Sequence, residues 1–307
     1  MDAAPVRQGD GSYDLCVAYR IYPKVTKPAQ NLPFGDDKLR QAEICLRSFK
    51  NSLGLLRVKV WAILDGCPGE FRSLFERHFA PQDLIFVEVG GVGNRATYGK
   101  QLDILTAQDD AEFVYFAEDD YLYLPGQFPL LLKFLRDGED VDFLTPYDHP
   151  DCYSSDLHNE PKWMKVFEGH HWRTASSTCL TFLTRKSTLI KHGRVFRTYC
   201  SRNDDCAMWL SLTKSRVFDP LAILRYFARR ESYRKAPLKA WLFCWRQILL
   251  GKKARLWLPV PGVATHLSTG LLSPGFDWLT FMRSEGSRTE VLQALGAGPL
   301  GETHSRG

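Results

Sequence analysis

Long apolar runs are missing from this chain. No stretch of its 307 residues reaches the roughly 18 uninterrupted apolar residues of a spanning helix. Residues 1–12 are polar and lack the apolar segment that a secretory signal needs. Closely spaced cysteine pairs are missing too. Cys16, Cys45, Cys67, Cys152, Cys179, Cys200, Cys206 and Cys244 include no CxxC pair, which removes the common zinc spacings. They read instead as reduced thiols, mostly in the core, of a protein in the cytoplasm. Internal repeats are absent. A large excess of one charge is absent as well: 40 Lys and Arg against 35 Asp and Glu leave a net +5, which alone implies no nucleic-acid partner. What remains is ample length and 44% hydrophobic residues, enough for a full core in one large α/β domain or two modest ones.

The first half alternates strand and helix signals. A strand over Tyr13 to Tyr19 precedes a long loop containing Pro23, Pro28, Pro33 and Gly35. Apolar positions Leu39, Ala42, Ile44, Leu46, Phe49 and Leu53 then predict a helix over residues 37–53 with one buried face. A second strand over Arg57 to Leu64 runs into a turn that sets Asp65 at its tip. A helix over Glu70 to Phe79 and a strand over Leu84 to Val89 follow. The segment from Gly90 to Lys100 is rich in glycine and basic residues. It is either a phosphate-cradling loop or an ordinary glycine-rich turn, since it matches neither the P-loop nor the full dinucleotide fingerprint. A helix over Gln101 to Gln108 closes the series, which predicts a mostly parallel sheet wound with helices.

The apolar run Phe113 to Ala117 ends in three consecutive acids, Glu118, Asp119 and Asp120. Such a run suits a covered strand, and ligands of open α/β sheets gather beyond the carboxyl ends of their strands. Three adjacent acids raise one another's pKa unless cations or donors compensate. A hard divalent ion bridging carboxylates and a diphosphate would do so; a solvated acidic turn is the plainer alternative.

Beyond Gly126 the pattern loosens. Helices are predicted over Phe128 to Leu135 and Lys186 to His192, and strands over Val141 to Thr145 and Ser177 to Leu183. The polar stretch between residues 146 and 173 carries His149, His158, His170, His171, Trp163 and Trp172. It reads as irregular and as a candidate acceptor lining. Asp204 and Asp205 head an apolar helix, where capping and the macrodipole also favour acids. Residues 225–255 hold ten Lys and Arg against Glu231 alone, with Tyr226, Phe227, Trp241, Phe243, Trp245, Ile248 and Leu249 interleaved. That composition suits an anionic lipid interface, with an ordinary solvated helix pair as the alternative. His266 ends a short β-like run, and the tail over residues 286–307 reads as flexible.

In order and approximate spacing, these motifs resemble the GT-A glycosyltransferases, family 2 type. The resemblance spans about Tyr13 to Trp278 and implies a Rossmann-like nucleotide-binding half, residues 13–126, and a less regular acceptor-binding and catalytic half, residues 127–285. Asp65 resembles the strand-end acid that bonds the nucleotide base. Glu118, Asp119 and Asp120 resemble the DxD motif. In that reading Asp120 is the direct ligand of Mn²⁺ or Mg²⁺, and Glu118 reaches the ribose or a metal-bound water. The spelling departs from the commonest DxD at its first position. His266 is similar to the C-terminal histidine that completes metal or diphosphate binding. Asp204 and Asp205 resemble the acid pair whose second member is the catalytic base, which selects Asp205. Arg95, Lys100 and Arg202 are candidates to neutralise a diphosphate. The implied activity is metal-dependent, inverting transfer from a UDP- or GDP-sugar to a hydroxyl of a glycan or lipid-linked acceptor. A retaining transferase, a sugar nucleotidyltransferase, and a nucleotide-sugar or glycan-binding protein without turnover are the alternatives.

Overall fold

The structure, a computed structural model, describes residues 12–24, 37–158, 160–221, 223–224, 235–268 and 270–286. The leader up to residue 11, most of the proline-containing loop, residues 225–234 of the basic segment and the tail from residue 287 lie outside the described residues.

One nine-stranded sheet organises the chain. With β1 (Leu15–Ile21), β2 (Val58–Asp65), β3 (Leu84–Val89), β4 (Phe113–Glu118), β6 (Phe143–Leu144), β7 (Met164–Phe167), β8 (His170–Ala175), β9 (Phe182–Arg185) and β10 (Leu256–Val260), the order is β3-β2-β1-β4-β9-β6-β10-β8-β7. All run the same way except β9 and β8, which pair antiparallel with their neighbours. A two-stranded ribbon joins β5 (Tyr121–Tyr123) to β11 (Ala264–His266). The predicted α/β class with a mostly parallel sheet flanked by helices is what the chain forms.

Alternation along β1 explains the layering. Leu15, Val17 and Tyr19 face a core shared with α1 (Lys38–Ser52), α2 (Gly69–His78) and α4 (Phe128–Asp137). Cys16 and Ala18 face the opposite core, built with α3 (Asn94–Ala107), α6 (Lys186–Cys200) and α7 (Asp205–Thr213). Covered on both sides, the central strands are apolar on successive residues rather than on every second one. Asp37 caps α1 by accepting from the Arg40 N–H at 3.0 Å. All eight cysteines are free; Cys16, Cys45, Cys206 and Cys244 are buried, and Cys200 is exposed. Among the described residues no helix is long and apolar enough to cross a membrane.

Several expected boundaries move. Helix α3 starts at Asn94 rather than Gln101, because Gly93 at φ 83° ends the glycine-rich segment and stands at the helix N-cap. Helix α6 continues to Cys200, and the strand expected over residues 177–183 begins only at Phe182. The stretch 146–173 is not irregular: it holds α5 (Asp151–Ser154), β7 and most of β8. Its polarity misled because β7 is a sheet edge whose residues alternate outward and inward. Gly169 at φ 73° makes the turn that follows.

Gly262 precedes β11 and fixes its approach. A Cβ there would lie 2.8 Å from the Asp148 backbone nitrogen and 2.9 Å from Asp148 Cβ. Gly262→Ala is therefore expected to lower unfolding free energy by about 1–3 kcal/mol, read from urea melts. An unchanged midpoint would mean that the turn shifts freely.

Candidate active site

The parallel strands β1, β2 and β4 deliver their C-terminal residues to one edge of the sheet. In register, Arg20 lies opposite Glu118. The Arg20 guanidinium pairs with Glu118 Oε1 and donates to the Asn94 carbonyl at 2.9 Å. Thr181 Oγ donates to Glu118 Oε2 at 2.8 Å. Asp119 Oδ2 accepts from the Tyr22 N–H at 2.9 Å and meets Lys38 Nζ at 3.0 Å. Burial pushes the Asp119 carboxyl up further than Lys38 draws it down. Burial disfavours the charged form of Lys38, but Asp119 and Asp120 outweigh it and raise the ammonium above its usual range. The compensation that three adjacent acids require thus comes in part from Arg20 and Lys38.

Asp120 is held differently. The β5–β11 ribbon sets Tyr121 opposite His266, and Asp120 Oδ2 lies 3.1 Å from His266 Nε2. The Leu267 N–H donates to the Asp120 carbonyl at 2.7 Å, fixing the backbone. Burial pushes the Asp120 carboxyl up, but the neighbouring His266 imidazole, with Lys38 and Arg20, reverses this and holds it below the usual range. Its Oδ1 is buried and has no hydrogen-bond partner among the described residues. A buried, unsatisfied carboxylate oxygen calls for a ligand.

That oxygen is the test of whether an ion fits. Among the described residues no group of three or more His, Cys, Asp or Glu side chains is gathered to hold a metal. The pair Asp120 and His266 offers one carboxylate oxygen, which suits Mn²⁺ or Mg²⁺, and one imidazole nitrogen, which suits Mn²⁺ better than Mg²⁺; the ion's remaining positions suit phosphate and water oxygens. The donor set fits an ion that arrives with a diphosphate.

Asp65 sits at the tip of β2 as expected, buried, with both oxygens engaged. Oδ1 accepts from the Val92 N–H at 2.7 Å and Oδ2 from the Gly93 N–H at 2.9 Å. It fastens the glycine-rich loop, whose Gly91 and Gly93 adopt positive φ. Arg95 donates to the Tyr199 carbonyl at 2.9 Å and lies over that ring. Lys100 is exposed further along α3, and Arg202 is exposed before α7.

The acid pair divides cleanly. Asp204, the residue before α7, meets Lys239 at 2.8 Å. Asp205 accepts from the Cys206 N–H at 2.7 Å, and burial, with the Glu118 charge contributing, pushes its carboxyl up to about 6. It lines a cleft with His149, Asp151, His158, Thr178 and Cys179. Cys179 binds the two parts together: burial raises its thiol, and the charges of Asp205, Glu118 and Asp120 all act on it. The strand-end acids and the α7 acid are therefore near enough to act on one thiol, which itself lines the Asp205 cleft.

The histidines and tryptophans of the middle stretch separate. His149 is in the cleft, and its Nδ1 accepts from the Asp151 N–H at 3.0 Å. His158 is buried against Ser176 Oγ at 2.8 Å. Trp172 is wholly buried, stacked on Phe134 at 3.9 Å, so it lines no acceptor surface. His170 and His171 are exposed on β8, and Trp163 is exposed before β7. Sequence reasoning missed Arg20, Lys38 and Thr181. A basic residue at the end of an otherwise apolar strand was the available signal for Arg20; nothing in the sequence links Lys38 or Thr181 to the triplet.

No family model and no curated protein matches this chain. Among solved structures it is similar to the galactosyltransferase LgtC in complex with donor and acceptor sugar analogs, at 13% identity and a TM-score of 0.45, over 94% of this chain and 98% of that one. It is also similar to S. aureus TarS 1-349 in complex with UDP, at 12% identity and a TM-score of 0.38, over 64% of this chain and 54% of that one. Against S. aureus TarS the TM-score is 0.34 at 13% identity, and the match covers 61% of this chain and 33% of that one. Likeness at this level carries no argument about activity, which rests on the side chains of the site itself.

Proposed function

We propose that this chain is a GT-A-type glycosyltransferase that moves a sugar from a UDP- or GDP-sugar to the hydroxyl of a glycan or lipid-linked acceptor, by single displacement with inversion. The observation that supports this best is Asp205: a carboxyl raised to about 6, sharing a cleft with Cys179, on which Glu118 and Asp120 also act. Perturbed carboxyls in clefts are what general bases require.

In this reading residues 13–126 take the donor and residues 127–285 the acceptor. Asp65 holds the glycine-rich loop ready for the nucleotide, and Arg20 and Thr181 orient Glu118 toward the ribose side. Asp120 and His266 would hold Mn²⁺ or Mg²⁺, with Asp119 in support. When bound, that ion supplies Lewis-acid stabilisation of the charge that grows on the leaving diphosphate. Arg95 adds positive charge at the start of α3, and Lys100 adds it further along the helix. Asp205 accepts the proton of the acceptor hydroxyl as that oxygen attacks the anomeric carbon from the opposite face. Asp204 keeps Lys239 beside the base and takes no part in the proton transfer. We place this activity in the cytoplasm.

The test is a panel of nucleotide sugars with Mn²⁺, scored by thermal protection and by release of nucleoside diphosphate. A ligand of the native state raises its melting temperature as the logarithm of concentration over Kd. One UDP- or GDP-sugar is expected to protect and to turn over. Because Asp205 must be ionised to act, kcat/KM is expected to rise with pH through about 6. Protection without diphosphate release, with or without acceptors, would favour a binding protein. Activity flat from pH 4 to 8 would remove Asp205 from the base role.

A further inference from the structure

The helix α8 (Ala236–Leu250) is apolar on two sides. Ala236, Pro237, Ala240, Cys244 and Ile248 are buried, and α8 packs along α7. The opposite side presents Leu238 (46% exposed), Leu242 (72%), Trp245 (47%) and Leu249 (54%). At about 100° per residue, spacings of four, three and four keep these side chains in one strip, and their exposure persists across the kink at Cys244. Trp241 ties a neighbouring segment to the same surface. Its ring donates to the Val217 carbonyl at 2.7 Å and touches Phe218, which is itself exposed, as are Leu221 and Leu224. Contiguous apolar surface of this kind marks a site of contact.

Charge selects the occupant. No acid occurs on α8, while Lys235, Arg246, Lys252 and Lys253 are exposed at its ends and along the border of the strip. Two copies paired through this face about a twofold axis would bring these cations together, which costs free energy. An anionic lipid surface takes both features at once: the leucines and Trp245 enter the headgroup boundary and the cations meet phosphate. We propose that α8 is the membrane-docking face of this protein, with Leu238, Leu242, Trp245 and Leu249 inserted among anionic lipids. Of the residues that sequence composition suggested, Trp245 and Leu249 are in the strip, whereas Ile248 is buried and Trp241 and Phe243 pack inward. Through the Lys239–Asp204 pair the docked helix is joined to the head of α7, where Asp205 stands. If the transfer reading holds, this presents the cleft to a lipid-borne acceptor.

The test uses the full chain and vesicles of phosphatidylcholine alone or equimolar with phosphatidylglycerol. Sedimentation is expected with the anionic vesicles only, weakening as salt rises. Neutralising Arg246, Lys252 and Lys253 to Gln together is expected to lower partitioning on the order of a hundredfold. Leu242→Glu with Trp245→Glu is expected to abolish it while thermal melting and nucleotide-sugar protection stay as in the parent. Wild type left in the supernatant at low salt would overturn the proposal. So would a Leu242→Glu/Trp245→Glu variant that sediments normally, or a solution dimer that this variant converts to monomer. None of these readouts depends on sugar transfer, so the docking face and the activity fail separately.

Discussion

Asp205→Asn is expected to lower transfer by roughly a hundredfold to ten-thousandfold with nucleotide-sugar affinity unchanged. Asn keeps the volume and the acceptor oxygen for the Cys206 N–H, now 2.7 Å away, so the head of α7 should not move. What is lost is a group able to take a proton. The stability of the same variant gives an independent check. The Asp205 carboxyl is raised from 3.8 to about 6 in the folded chain, so the native state binds more protons than the unfolded one between those values. Its contribution is therefore favourable below about 4 and is lost as pH climbs through about 6. Above that range the ionised group opposes folding, so Asp205→Asn should melt no lower than wild type at pH 8 while remaining inactive. A variant that transfers sugar at the wild-type rate would end the assignment. One that melts well below wild type at pH 8 would mean that Asp205 is structural.

Asp120→Ala is expected to erase the metal-dependent part of nucleotide binding. Removing an outer partner of a metal ligand commonly costs ten- to a hundredfold in metal affinity, so loss of a direct ligand should cost at least about a hundredfold. Calorimetry with UDP and GDP would read this as a Kd in Mn²⁺ equal to the Kd in chelator. Wild type should bind more weakly once the metal is removed, whereas the variant should not change further. Because Asp120 contacts His266 at 3.1 Å, Asp120→Asn serves as a control that keeps side-chain volume. Unaltered Mn²⁺-dependent affinity in both variants would move the metal site elsewhere.

The layered core and most elements were legible in the sequence, because covered parallel strands write themselves as apolar runs ending at turns. Strand β3 falls where the alternation puts it, and Asp65 stands at a strand tip as read. The hairpin of β7 and β8 was not legible. Its edge position leaves outward residues polar, and its buried Asp148–Arg173 pair, at 2.5 Å, looks like surface charge when read as letters. The proximity of His266 to Asp120 was expected only from the order of motifs. Physically it comes from ribbon pairing between distant segments, which no local pattern encodes. Lys38 was invisible for the same reason: its partner is set by tertiary packing of α1 against the strand ends.

The β5–β11 ribbon also sets an order of events along the chain. Asp120 meets His266 only through pairing of segments separated by much of the sequence, and contacts of such long range form late because loop closure must come first. The partners of the other two acids, Arg20 and Lys38, lie earlier in the chain than the acids they neutralise. A nascent chain ending before β11 can thus already balance Glu118 and Asp119 and fold its first sheet strands, but it has no His266 to set beside Asp120. The partner of Asp120 thus arrives well after the partners of the other two acids, so chains cut short before β11 should fold in part and leave Asp120 without its histidine.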